Sequence, residues 1–190
     1  MLYLKILINL PFGWIFILCY LLSKERKKIN MDIDRFHRIV AGRDAGSYIW
    51  ALYKLFLGMK EFRSVFYMRI GYVSKLLSII WAPQPLLFIH TRSANIGGGC
   101  FVQHGYSTVI EAASVGENLW VNQNVTIGYR GNGHPTIGNN VRIGAGAVVL
   151  GKITIGNNVN IGANAIVVED VPSNCTVCSP KAQIVKMRQN

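Results

Sequence analysis

"TIGNNVRIGAGAVVLGKITIGNNVNIGANAIVVED", residues 136–170, sets Ile137, Ile143, Val149, Ile155, Ile161 and Val167 six apart. Upstream, Val115, Val121 and Ile127 keep the same beat. Gly follows at 116, 128, 138, 144, 156 and 162. A small or β-branched residue tends to fall four after each, as at Val125, Val141, Ala147, Ile153, Val159 and Ala165. A helix repeats every 3.6 residues and a strand every 2, so neither sustains a beat of six. Such a beat is the mark of a parallel β-helix. Each unit makes one short face of a triangular coil. The Val or Ile points inward, and Gly or Asn supplies the positive φ that corners need. A coil then takes about 18 residues, so residues 89–172 give roughly four to five coils. Coils of this kind expose flat sides, which a symmetric trimer covers.

The beat breaks in two places. Ile127 to Ile137 is a step of ten, so "GYRGNGHPT" (residues 128–136) extrudes a loop carrying Arg130 and His134. Val102 to Val115 spans 13 residues instead of 12, so the coil is irregular just after His104 in "CFVQHGYSTV" (residues 100–109). Functional groups gather where a regular scaffold departs from its rule.

The first half of the chain has another character. A composition 51% hydrophobic and 15% charged excludes a disordered chain. The formal net charge is +11, and 13 of the 20 Lys and Arg lie in residues 1–88 with 5 of the 9 acids. Basic and apolar together suit an anionic membrane surface better than nucleic acid, for which no reading motif is present. Residues 6–22, "ILINLPFGWIFILCYLL", are almost wholly apolar apart from Pro11 and Gly13, and "SKERKK" follows. A spanning helix needs about 20 apolar residues, so this run sits at the lower limit. It reads as a short anchor, an interfacial helix or a core helix, with membrane association favoured. If the run spans, Lys24, Arg26, Lys27 and Lys28 keep the domain behind them in the cytoplasm. From Asp32 to Ile80 the spacing predicts helices, with Arg63, Arg69 and Lys75 making them basic and amphipathic. Pro83 and Pro85 end that region. The expected organisation is an apolar and basic membrane-associating segment (1–30), an amphipathic helical region (31–86), the coil (87–180) and a basic tail (181–190). Cys19, Cys100, Cys175 and Cys178 are too few for a disulfide framework, and the Cys175/Cys178 pair lacks a second pair to make a zinc site.

"IGGGCFVQHG" (96–105), "VNQNVTIG" (121–128), "HPTIGNNVRIGAGAVVLG" (134–151) and "IGANAIVVEDVP" (161–172) resemble the serine acetyltransferase branch of the hexapeptide-repeat acyltransferases. The resemblance covers roughly residues 89–180. "EFRSVFYMRIG" (61–71), before the coil, looks more like the short capsule and exopolysaccharide O-acetyltransferases of that branch. The resemblance implies a trimeric left-handed parallel β-helix, acetyl-CoA as co-substrate with no metal, and active sites between subunits. It implies that His104 is the catalytic histidine and that His134, before Pro135, binds the acceptor. It sets Ala145 and Ala163 along the CoA slot. Lys181 and Lys186 are further candidates, for the CoA phosphates. Two positions depart from the family. Gln103 stands where the family keeps an acid for the serine amino group. Ile89, or Phe88 with a one-residue gap, stands where an acid orients the imidazole.

These departures favour a sugar hydroxyl of a lipid-linked glycan or capsule repeat as acceptor, in polysaccharide or capsule biosynthesis at the cytoplasmic face of a membrane. The alternative is serine O-acetylation for cysteine biosynthesis. In either reading an imidazole, with an ordinary pKa of about 6.5, is a suitable base for the acceptor hydroxyl. Glu111 is the acid nearest His104 in sequence, and with a backbone carbonyl it is a candidate to orient the ring. His90 is assigned a structural role. His90, His104 and His134 lie 14 and 30 residues apart with no His-x4-His pair, which argues against a zinc hydratase.

Overall fold

The computed structural model describes residues 12–181. Helices come first: α1 (Gly13–Leu22), α2 (Arg26–Ala41), α3 (Tyr48–Gly58), α4 (Lys60–Ile70) and, after a 3-10 turn at Gly71–Val73, α5 (Ser74–Ile80). Gly42 ends α2 in the left-handed conformation at φ 68, where a side chain is strained. Ser47 opens α3 by accepting the Trp50 N–H at 3.5 Å. An aromatic core joins the helices. Phe16 stacks on Phe56 at 4.1 Å and meets Trp81 edge-on at 5.6 Å. The expected boundary at residue 30 therefore falls inside α2, and residues 13–22 share a core with the helices that follow. Among the described residues no helix is long and apolar enough to cross a membrane. α1 buries Phe16 and Tyr20 and exposes Trp14, Leu18, Leu21 and Leu22.

Two of the expected surface cations are interior. Arg63 is buried, donating from Nε to the Phe56 carbonyl at 2.9 Å and from Nη1 to that of Ala82 at 2.6 Å. Arg69 is buried against Asp32, with Nε to Oδ2 at 2.8 Å and Nη2 to Oδ1 at 3.2 Å. It also donates to the carbonyls of Ile96 and Gly97, at 2.8 and 2.6 Å. Asp32 in turn accepts the Cys100 N–H at 2.8 Å. Burial pushes the Asp32 carboxyl up, against the pull of Arg69. Burial and then the Asp32 charge push the Cys100 thiol up to about 12, so this cysteine packs and does not react.

The second half is a parallel β-solenoid of three faces. Face A stacks Leu87–Ile89, Thr108–Ile110, Thr126–Gly128, Val148–Leu150 and Ile166–Val167. Face B stacks Ser114–Val115, Thr136–Ile137 and Thr154–Ile155. Face C stacks Phe101–Val102, Trp120–Val121, Arg142–Ile143, Asn160–Ile161 and Thr176–Val177. The chain runs A to B to C and round again. All nine Val and Ile of the six-residue beat are at most 4% exposed, so the beat is the core. The B–C edge is an asparagine ladder. Asn118 donates to Asn140, Asn140 to Asn158 and Asn158 to Asn174, at 2.8–3.0 Å, each with positive φ. Glycine beside that ladder lets coils close up. A Cβ on Gly138 would lie 2.8 Å from the Gly156 carbonyl carbon.

The Arg69–Asp32 pair is the main polar tie between helices and coil. Asp32→Ala strands a buried guanidinium, and we expect a loss of about 3–5 kcal/mol in urea unfolding. Asp32→Ala with Arg69→Met, which removes both charges, should lose clearly less.

Candidate active site

His104 follows the first strand of face C and sits at the C–A edge. Its φ of 65 is left-handed, as are Gly105 at 46 and Ser107 at 49. Strain of this kind, about 1–3 kcal/mol per non-Gly residue, persists where surrounding structure holds it. Here Gln84 holds it. Gln84 is 3% exposed; its N–H donates to Ser64 Oγ at 2.9 Å and its Nε2 to the His104 carbonyl at 3.2 Å. The imidazole itself is exposed, and no side chain among the described residues hydrogen-bonds to it. The irregularity after Val102 thus turns His104 out of the coil.

Val102, Val121, Ile143 and Ile161 are in direct register. Two residues on, His104, Gln123, Ala145 and Ala163 therefore fall in one column down the C–A edge. The column is tied by Gly146 N–H to the Gln123 carbonyl at 3.1 Å and Asn164 N–H to the Ala145 carbonyl at 2.9 Å. Below His104 and Gln123 it continues in two small residues, Ala145 and Ala163, and backbone. Asn122 Oδ1 and Gln123 Oε1 are buried along it without hydrogen-bond partners among the described residues. Sequence reasoning missed both, because they lie 18 and 19 residues from His104 and are neighbours only through the coil. Gln103 Oε1 accepts from Trp120 Nε1 at 3.3 Å and Asn122 Nδ2 at 3.4 Å. Lys181 is exposed, and Lys186 lies outside the described residues.

His134 is elsewhere. The extruded loop folds back through a bridge between Arg130 and Gly133 and places His134 on the A–B edge. Its Nε2 lies 3.3 Å from Glu111 Oε1, and His90 Nδ1 lies 3.9 Å from Glu111 Oε2. Tyr129 packs edge-on against His134 at 5.4 Å. Glu111 therefore does not orient His104: it lies across face A from it, between two other histidines. A six-residue face is roughly 20 Å wide at about 3.3 Å per residue, so one protomer does not bring His104 and His134 to one small acceptor. Phe88 is exposed beside His90, and Ile89 is part-buried against the core, so neither supplies an orienting acid. Among the described residues no group of three or more His, Cys, Asp or Glu is placed to hold a metal.

Residues 134–168 match the bacterial transferase hexapeptide (six repeats) family. The coil is thus similar to those of the hexapeptide-repeat transferases. A serine acetyltransferase of Synechococcus elongatus is 41% identical over 122 residues, covering 62% of this chain and 50% of that protein. One of Staphylococcus aureus is 49% identical over 98 residues, 49% of this chain and 46% of that protein. The chain spans about half the length of these relatives. Among solved structures, serine acetyltransferase isoform 3 of Entamoeba histolytica with cysteine superposes with a TM-score of 0.63 at 31% identity, over 85% of this chain and 61% of that one. The Neisseria gonorrhoeae serine acetyltransferase with serine gives a TM-score of 0.63 at 28% identity, over 85% and 69%. These findings overturn the expectation of a sugar acceptor in polysaccharide biosynthesis. That expectation rested mainly on the missing acid at Gln103, with the one missing at Ile89 or Phe88 and the likeness of residues 61–71 to capsule O-acetyltransferases beside it.

Proposed function

We propose that this chain is an acetyl-CoA-dependent O-acetyltransferase whose acceptor is L-serine. The observation that carries the reading is the column on the C–A edge, with a turned-out imidazole at its head and Ala145 and Ala163 below Gln123, where small side chains would leave a groove for a long, thin ligand. Ala145, Ala163 and the backbone between them fit the narrow pantetheine arm of CoA, and Lys181 lies towards its phosphate end. His104 takes the proton from the serine hydroxyl as that oxygen attacks the thioester carbonyl. The carbon–sulfur bond breaks, the ester forms, and the imidazolium returns the proton to the leaving thiolate. Backbone N–H groups of the corner serve the oxyanion. We place the site between protomers of a homotrimer, with the A–B edge of the next copy bringing His134 and Glu111 to the acceptor, where Glu111 faces the serine ammonium.

The apolar side of α1 also bears on where the enzyme works. Leu18 and Leu22 line one cleft with Val73 and Lys24. Leu76 and Ile79 beyond it are 71% and 81% exposed. We infer that this surface rests on an anionic membrane on its cytoplasmic side, Trp14 and Tyr72 at headgroup level.

Four outcomes check these readings. In a thiol-release assay with acetyl-CoA and L-serine, wild type should turn over, and His104→Ala should lose about 10²–10⁴-fold in kcat. Trimers mixed from His104→Ala and His134→Ala chains should regain up to about a quarter of wild-type activity, whereas a site within one protomer would regain none. Ala145→Phe should fill the groove and raise the CoA Kd at least about tenfold by calorimetry, with folding unchanged. Sedimentation with phosphatidylglycerol vesicles should capture wild type, and Leu76→Glu with Ile79→Glu should cut capture at least about tenfold. Equal capture of wild type and variant would sink the membrane reading.

A further inference from the structure

A cationic cluster on face C has no role in the chemistry described so far. Trp120 sits in register between Phe101 and Arg142. Phe36 of α2 packs edge-on against Phe101 at 4.6 Å, and Phe101 against Trp120 at 5.0 Å. That packing carries Arg35, the preceding residue of α2, to the same indole, its Cζ 5.7 Å from the ring centroid. Arg142 covers the ring at 4.3 Å. Two guanidinium groups from distant parts of the chain thus meet on one indole.

No ion pair of either arginine with a carboxylate is present among the described residues. Arg35 Nε is buried with no acceptor among the described residues. Burial first, then the charges of Arg38 and Arg142, push the Arg35 pKa below its usual value. Two cations held close with no counter-charge form half of an anion site, and guanidinium geometry suits a carboxylate.

The indole also ties this cluster to His104. Its N–H donates to Gln103 Oε1 at 3.3 Å. An indole N–H is only a donor, so it fixes which way the Gln103 amide lies and leaves the amide NH₂ to donate elsewhere. Gln103 is the residue beside His104.

We propose that Arg35, Arg142 and the Gln103 NH₂ form the subsite for the acceptor's carboxylate, with Trp120 as its floor. This rests on the L-serine reading above and deepens it. The site would hold the α-carboxylate on face C and leave the hydroxyl to reach His104 at the neighbouring edge. It also gives Gln103 a purpose: a neutral donor suits a carboxylate, where an acid would repel it.

The test is steady-state kinetics on full-length wild type, Arg142→Gln and Arg35→Gln, with light scattering for oligomeric state. Each variant should raise the KM for L-serine about tenfold or more, with kcat the smaller change and the acetyl-CoA KM unmoved. With L-serinamide, which lacks the carboxylate, the difference between wild type and variants should largely vanish. Three results overturn the subsite while the acceptor reading stands: an unmoved L-serine KM, a rise in the acetyl-CoA KM instead, or loss of the oligomer, which would mean that the arginines meet another copy. A wild type inactive on L-serine overturns the acceptor reading and this subsite with it.

Discussion

The buried Arg69–Asp32 pair is the constraint on which the rest of the molecule turns. A parallel coil has an open first turn, whose carbonyls and amides face no preceding strand. Unpaired and buried, each such group is expensive. Arg69 answers the carbonyls of Ile96 and Gly97, and Asp32 answers the amide of Cys100. Neither charge would survive burial alone, so α2 and α4 must arrive together and in one register. That register then fixes Phe36 against Phe101, Arg35 over Trp120 and Gln84 beneath His104. The helices are thus a cap that also aims the groups at the head of the coil.

A three-sided coil divides its chemistry among edges. His104 and the groove below it occupy one, Glu111 and His134 a second, and the asparagine ladder the third. The ladder is satisfied within the chain, coil to coil. The other two carry groups that nothing among the described residues completes, such as the orphaned oxygens of Asn122 and Gln123. Trimerisation about an axis parallel to the coil would set unlike edges face to face. In the trimer proposed above, catalysis would be a property of an interface, because no single prism brings both edges to one acceptor.

Much of the fold was legible because the core of a β-helix repeats in sequence at the interval at which it repeats in space. The two breaks in the beat were legible for the same reason, and both turned out to be where the histidines leave the scaffold. The helical half was harder. Arg63 and Arg69 look like surface cations, since their partners are backbone carbonyls and an aspartate 37 residues from Arg69, which no periodicity reveals. Glu111 misled for a related reason. It is seven residues from His104 along the chain, yet seven residues cross a whole face. His134, 23 residues away from Glu111, is one coil along and in contact. In a solenoid the useful neighbour of a residue lies a coil away.

The same geometry bears on why Gln103 need not exclude an amino-acid acceptor. An acid beside the base would attract the acceptor ammonium and hold the carboxylate away. Gln103 reverses that preference without changing the backbone, because its oxygen is occupied by Trp120 and Asn122 and only its N–H₂ remains. Positive charge then gathers on face C, from Arg35 and Arg142, and negative charge on the A–B edge, at Glu111. In the proposed trimer, an acceptor with both an ammonium and a carboxylate would bridge face C of one protomer and the A–B edge of the next, with its hydroxyl at His104. A neutral sugar would gain from neither pole.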